Sequence, residues 1–248
     1  MILRSLTNHV KDQNWFAVWI DFAIVVVGVF IGIQVANWND ERASKRDYLH
    51  ALDRAEVEIS ENIAFIDTEA EAIAQSLSIA RTGFDLLLSC SEAADAVQKI
   101  NDAVVEIRGT RGVQTRTAAI IELRTNPALL SQQSDRVRER FADLRFYQEL
   151  ALDTSKRFEP TISDRQAESR TLAIQPAEKF RTQWLGIKYE VPRYALALDS
   201  GVQEACTDKD LLKWFYIWEY WQTNVLLLNE KLRNEYQKTL KVLQERER

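Results

Sequence analysis

The chain has 248 residues, of which 46% are hydrophobic and 28% charged, and its formal net charge is −5. This composition excludes an intrinsically disordered chain and a transporter with many membrane spans. The acidic balance argues against nucleic acid as a partner, because nucleic-acid binding requires a basic face. Glycine (7 residues) and proline (4) are scarce, so the composition favours helices over a turn-rich β-sandwich or barrel.

The apolar stretch at residues 16–36 predicts a membrane-spanning helix. A helix of this length is about 31 Å long, which matches a hydrocarbon core of about 30 Å. Trp15, Trp19 and Trp38 lie near its two ends, where indole rings favour the headgroup layer. The lipid bilayer is therefore the first partner that the sequence predicts.

A cleaved signal peptide is the alternative reading of this stretch. The apolar run is longer than the usual h-region of about 7–15 residues, and no small-residue cleavage site follows it. We therefore predict an uncleaved transmembrane helix at 16–37, preceded by an N-terminal flank at 1–15 and followed by a domain at 38–248.

The membrane orientation rests on conflicting signals. Arg42, Lys45 and Arg46 follow the span, which by the positive-inside rule favours a cytoplasmic domain. That rule is strongest for short loops, and long domains cross the membrane largely regardless of charge. The two cysteines favour the opposite side, so we predict an inner-membrane, single-pass protein with a periplasmic domain.

Beyond the span the helix is predicted to continue to about Leu88. Residues 40–88 contain no proline, and their one glycine is Gly83. Apolar residues recur there at alternating steps of three and four over about five heptads, with Glu56 as the one polar member, which is typical of a long helix packed against others. The recurring apolar residues are Leu52, Ile59, Ile63, Ile66, Ala70, Ile73, Leu77, Ala80, Phe84 and Leu87.

The next part of the chain predicts two further helices and a short piece between them. Ser89 and Glu92 have the spacing of a capping box that opens a second helix, and the glycines at 109 and 112 end it. A short helical piece follows at 115–124. Asn126 and Pro127 then resemble an N-cap with proline at the first helical position, opening a third helix that runs to about Phe158.

The last part of the chain predicts an irregular region and a final helix. All the remaining prolines and glycines fall within 160–205, which predicts short helices and loops there. Thr207 and Asp210 have capping-box spacing and open a final helix that runs to the C-terminus. Since no segment shows a convincing strand period, we predict an all-α fold: an N-terminal transmembrane helix continuous with a long antiparallel helical bundle.

Cys90 and Cys206 are the chain's two cysteines. In an up-down bundle the end of the first long helix and the start of the last one meet at the end farthest from the membrane. A disulfide between them is therefore geometrically reasonable and would require an oxidising compartment. The alternative is a pair of unrelated reduced thiols that contribute only packing.

Gly28 and Gly32 form a GxxxG motif inside the span. Two glycines four residues apart give a flat helix face on which a second copy of the helix can pack, so a homodimer through the span is one hypothesis. The alternative is that glycine is simply common in membrane helices. Asp21 lies near the start of the span. An ionisable residue inside a span can mark a functional site, but near its end the carboxylate can reach the interface, and we favour this second reading.

An aromatic run at 214–221 contains Trp214, Trp218 and Trp221. A helix with aromatic residues on several faces must bury more than one of them. These tryptophans form either a ligand pocket or docking surface, or a thick core between the final helix and the 160–205 region.

Catalytic and metal-binding motifs do not occur in the sequence. His9 and His50 both flank the span, and HExxH, CxxC, Walker A, GxSxG and GxGxxG motifs are missing. We therefore predict no catalytic residue, no cofactor site and no metal site, and a protein that is not an enzyme.

Residues 20–41, with the sequence IDFAIVVVGVFIGIQVANWNDE, resemble the N-terminal signature of an uncharacterised family of bacterial single-span membrane proteins. In that family an acidic residue opens the span, a glycine lies centrally, and a glutamine precedes an Asn-Trp-Asn-acidic exit. The matching positions are Asp21, Gly28, Gln34, Asn37, Trp38, Asn39, Asp40 and Glu41. This chain departs from the pattern in carrying Asp rather than the usual Glu at 21 and a second glycine at 32. The resemblance implies a membrane-anchored, mainly helical protein and brings no activity with it.

Two classes of function remain open. The first is a non-enzymatic interaction or scaffold module at the bacterial inner membrane, whose bundle docks an unidentified protein partner. The alternative is an extracytoplasmic ligand-sensing bundle that signals through a partner, an analogy of architecture only. A sensor normally needs an output module, and the flank at 1–15 is too short to be one, which favours the interaction module.

Overall fold

The structure is a computed structural model that describes residues 15–163, 169–176, 181–184, 187–190 and 194–245. In those ranges it contains seven helices and four short strands, so the predicted all-α class is confirmed as a mostly helical fold. Apart from Trp15, the predicted flank at 1–15 lies outside the described residues.

Helix α1 (Trp15–Leu88) runs for 74 residues without a break, a length of about 110 Å. Its N-terminal part is long and apolar enough to cross a membrane, and none of that apolar window is buried inside the protein. The helix ends in a Schellman motif, in which Ser91 N donates to Leu86 O and Cys90 N donates to Leu87 O. Cys90 occupies the left-handed position of this motif with a φ of 45°, where glycine is the usual residue.

The other helices and the strands have the following bounds. The helices are α2 (Ala96–Ile107), α3 (Ala118–Thr125), α4 (Pro127–Gln132), α5 (Asp135–Ser163), α6 (Val202–Ala205) and α7 (Lys209–Gln244). The strands are β1 (Leu172–Pro176), β2 (Arg181–Trp184), β3 (Ile187–Glu190) and β4 (Tyr194–Leu198). Strand β1 pairs antiparallel with β4, with Leu172 opposite Leu198. Strand β2 pairs antiparallel with β3, with Arg181 opposite Glu190.

The prediction of short helices and loops at 160–205 is wrong for most of the described part of that region. Apart from the end of α5 and the four-residue α6, its regular structure consists of two two-stranded antiparallel sheets. Strands of four or five residues are too short for a two-residue period to stand out in a sequence. Their pairing with each other, and the burial of Leu198 in the core, stabilise them instead.

Three predicted helix starts are also wrong. Helix α2 begins at Ala96 rather than after Ser89, because the Schellman motif and a turn at Ala93 occupy the intervening residues. Helix α3 begins at Ala118, three residues later than predicted. At α7 the N-cap is Asp208 and not Thr207, whose hydroxyl donates to Glu204 O instead.

The predicted third helix is divided into α4 and α5 at Gln133. This residue has extended backbone, and its side-chain amide donates to Leu123 O at 2.5 Å. The predicted N-cap of this helix is correct, because the Asn126 side chain accepts from Ala128 N and Pro127 is the first residue of α4.

Helix α7 runs antiparallel to α1 and carries the chain back toward the apolar N-terminal part of α1. Phe84 stacks on Phe215 with ring centroids 5.5 Å apart, and Asp67 forms an ion pair with Arg233. Helix α5 is antiparallel to α7, because Arg136 pairs with Glu245 while Gln148 contacts Tyr236. The long helices therefore pack as an antiparallel bundle.

The bundle has two hydrophobic clusters along its axis. The distal core contains buried residues of α1 (73–87), of α2 and of the first half of α7, together with Leu198. They pack around Trp214, Trp218 and Ile100. The proximal core lies nearer the predicted span and contains buried residues of α1 (51–66), of α3, of α5 and of the second half of α7. They pack around Phe141 and Tyr236.

Candidate functional site

The segment at 109–117 has neither helical nor strand structure and crosses from the distal to the proximal core. Buried side chains on the two longest helices hold it in place. The Gln222 amide accepts from Arg111 N (3.1 Å) and donates to Arg111 O (2.9 Å), and Trp218 Nε1 donates to Gly109 O at 2.7 Å. These bonds pair backbone groups of a segment that has no helix or strand to pair them.

Helix α1 holds the other end of this segment. The Asn62 amide accepts from Arg116 N and donates to Arg116 O, both at 2.8 Å. One turn earlier, the Glu58 carboxylate accepts from Ala119 N (2.9 Å) and Ile120 N (3.3 Å), so it caps the N-terminus of α3 from another helix. The buried carboxylate of α1 is thus Glu58, whereas the apolar pattern had placed the half-buried Glu56 there.

Gly112 sets the distance between this segment and α5, and Tyr236 of α7 links α5 to α1. A Cβ atom added at Gly112 would lie 2.5 Å from Ser155 Oγ, so only glycine allows the close approach. The hydroxyl of Tyr236 accepts from Gln148 of α5 (2.6 Å) and from Asn62 of α1 (3.1 Å). Burial raises the pKa of Tyr236 to about 12, so this phenol stays protonated at neutral pH.

These elements enclose an open cavity of about 740 Å³. Its walls are the segment at 113–117 with α3 on one side and α5 on the other, and Leu232 of α7 lines it too. Asn62, which holds the wall segment in place, lies about 35–40 Å beyond the predicted span at 1.5 Å per residue along α1. The volume falls in the range of small-molecule sites, about 300–1,000 Å³. The apolar lining residues are Val113, Ile120, Ile121, Leu152 and Leu232.

The charged side chains at the cavity are Arg124, Arg145, Glu149 and Lys156. Arg145 and Glu149 form an ion pair one helical turn apart. Neither Arg124 nor Lys156 makes a hydrogen bond or ion pair with another described residue. Burial, together with the positive charge of Arg145, lowers the pKa of Arg124. The cavity therefore has an excess of positive charge.

The two cysteines meet at the distal end of the bundle. Cys90 and Cys206 are joined as a disulfide with their Cα atoms 5.4 Å apart, linking the end of α1 to the turn before α7.

Asp208 fixes the backbone next to this disulfide. Its Oδ1 accepts from Asp210 N and Leu211 N, and its Oδ2 accepts from the hydroxyls of Ser169 (2.9 Å) and Thr171 (2.8 Å). Burial raises the pKa of Asp208, but these hydrogen bonds outweigh it and lower the pKa to about 2.

The structure places the predicted aromatic residues in the interior. Trp214 and Trp218 are fully buried in the distal core, and Trp221 is half-buried against it. They belong to a packed cluster, and the 740 Å³ cavity is lined by other residues.

The predicted dimer face of the span is open. A Cβ atom added at Gly28 or Gly32 would meet nothing within 4 Å, so no other part of the described chain covers this face.

Sequence reasoning missed the cavity and its arginines. Arg124 and Arg145 are on different helices, separated by the unpredicted break at Gln133, and no short motif links them. A weak signal exists within α5, where Arg145, Gln148, Leu152 and Lys156 follow helical spacing on one face.

No group of three or more His, Cys, Asp or Glu side chains positioned for a metal ion occurs among the residues that the structure describes. No protein-family model, curated protein or solved structure matches this chain.

Proposed function

We propose that this protein is a non-enzymatic interaction or scaffold module, anchored in a bacterial inner membrane by one span, whose helical bundle docks a protein partner. The observation that carries this proposal is the unbroken course of α1 from the apolar window into both cores. A continuous helix holds the bundle rigidly at the membrane instead of tethering it by a flexible linker. The resemblance of residues 20–41 to bacterial single-span proteins and the lack of catalytic motifs support the same reading.

The outer face of α7 is the surface on which we propose that the partner docks. Tyr216, Tyr220 and Leu227 follow helical spacing and are 62%, 51% and 58% exposed. The rings of Tyr216 and Tyr220 stack with centroids 6.5 Å apart. Exposed tyrosine is enriched at protein interfaces, because it combines apolar area with a hydrogen-bonding tip.

A photo-crosslinking amino acid placed at position 220 in cells tests this proposal. We expect a discrete crosslinked band whose partner mass spectrometry identifies reproducibly. The matched control is position 237, which is exposed on the same helix. Equal crosslinking at both positions, or none at 220, would contradict docking through this face.

A periplasmic position of the domain is part of the proposal. The disulfide supports it, because such bonds persist in oxidising compartments. Rapid trapping of membranes with a thiol-blocking reagent, followed by a non-reducing gel, tests the bond in cells. Two free thiols would remove the main support for a periplasmic domain.

The second candidate function is an extracytoplasmic ligand-sensing bundle that signals through a partner. The cavity favours it, since its volume and mixed lining suit a small molecule. A homodimer formed through Gly28 and Gly32 would give such a sensor a way to pass a signal along α1.

A further inference from the structure

We propose that the cavity between α3 and α5 binds an amphiphilic small anion, a carboxylate attached to an apolar ring or chain, with Arg124 contacting the carboxylate. The inference deepens the second candidate function by naming its ligand class. It does not depend on docking through α7.

The charge balance points to an anion. Three cationic side chains line the cavity, Arg124, Arg145 and Lys156, against the single carboxylate of Glu149. Arg145 is already paired with that carboxylate, and neither Arg124 nor Lys156 forms an ion pair with another residue that the structure describes. A bound anion would relieve the repulsion between Arg124 and Arg145, and a guanidinium binds a carboxylate through two parallel hydrogen bonds.

The apolar wall points to an amphiphile rather than to an inorganic ion. Ile121 and Leu152 line the same cavity as Arg124, and these side chains are 51% and 38% exposed. An inorganic anion would leave these side chains against water, whereas a ring or chain would cover them.

The walls of the site are fixed before any ligand arrives. Asn62 and Gln222 hold the 109–117 segment, Glu58 holds the start of α3, and Gln148 is held by Tyr236. A preformed site loses little freedom on binding, which favours affinity for a small ligand.

Three matched probes test the inference by titration calorimetry on the full chain in lipid nanodiscs, with empty nanodiscs as the blank. The probes are 2-naphthoate, 2-naphthol and 2-naphthylmethylamine, which share one ring system and differ in charge. We expect saturable binding of 2-naphthoate, at least tenfold tighter than that of the other two. Equal binding of all three, or no saturable binding of 2-naphthoate, would overturn the proposal.

Variants locate the site. Arg124→Gln should weaken 2-naphthoate binding at least tenfold, while Lys213→Gln, which removes an exposed charge on α7, should leave it unchanged. Leu152 is partly exposed, so Leu152→Glu and Leu152→Lys should both fold. The Glu variant should weaken binding tenfold and the Lys variant should not. Identical affinities for these two variants would overturn the role of charge here. Because no partner takes part, the result is independent of the crosslinking experiment.

Discussion

The disulfide between Cys90 and Cys206 allows a quantitative prediction for stability. The two residues are 116 positions apart, so the bond closes most of the bundle into one loop. The chain-entropy model gives a stabilisation of about 4–5 kcal/mol for a loop of this length. Cys206→Ser should lower the free energy of unfolding by that amount. In a chain of this size the expected fall in Tm is about 8–20 °C.

A pair of variants at position 90 separates the bond from the backbone. Cys90→Ala and Cys90→Gly both remove the disulfide, but only glycine adopts the φ of 45° without strain. The glycine variant should therefore be more stable than the alanine variant by about 1 kcal/mol.

The assay is thermal unfolding of the full chain in detergent, followed by tryptophan fluorescence with and without reductant. Reduced wild-type protein should unfold at the same Tm as Cys206→Ser. The reasoning is refuted if the free energies of unfolding of Cys206→Ser and oxidised wild type differ by less than about 1 kcal/mol at the wild-type Tm. It is also refuted if the glycine variant at position 90 is no more stable than the alanine variant.

Three further predictions concern other parts of the molecule. The pKa of Asp208 is lowered to about 2, so its carboxylate stabilises the fold above pH 4 and loses this stabilisation as the pH falls toward 2. Because the group is partly exposed, solvent screening reduces the effect to about 1 kcal/mol; Asp208→Asn should flatten the acid limb of a pH–Tm curve. Gly83→Ala should destabilise by about 1–3 kcal/mol, because its Cβ would lie 2.3 Å from a side chain of α2, while urea unfolding of Gly109→Ala should match wild type. Gly28→Leu should reduce chemical crosslinking of two copies in membranes, and the control Val27→Leu should not; equal dimer yields would exclude this face.

The sequence alone determined the helical class and the long α1. An unbroken apolar window, the lack of proline and a seam of apolar residues are local signals that need no partner to be read. The same holds for the N-cap of α4, where Asn126 and Pro127 act on their own backbone.

Local signals failed where two compatible choices lay side by side. At the start of α7, Thr207 and Asp208 are both good N-cap residues. Asp208 takes the role because Ser169 and Thr171, far away in sequence, also donate to its carboxylate. In the same way, the short strands at 172–198 form by pairing with each other, and strand propensity depends strongly on such context.

Only the tertiary structure decided the cavity. Its walls come from α3, α5, α7 and the segment at 109–117. The amides of Asn62 and Gln222 hold that segment in place. A buried amide that pairs with a distant backbone group looks, in the sequence, like any other polar residue on a helix. Its role follows from which backbone groups the fold brings within hydrogen-bonding distance, and that is settled only when the long helices pack together.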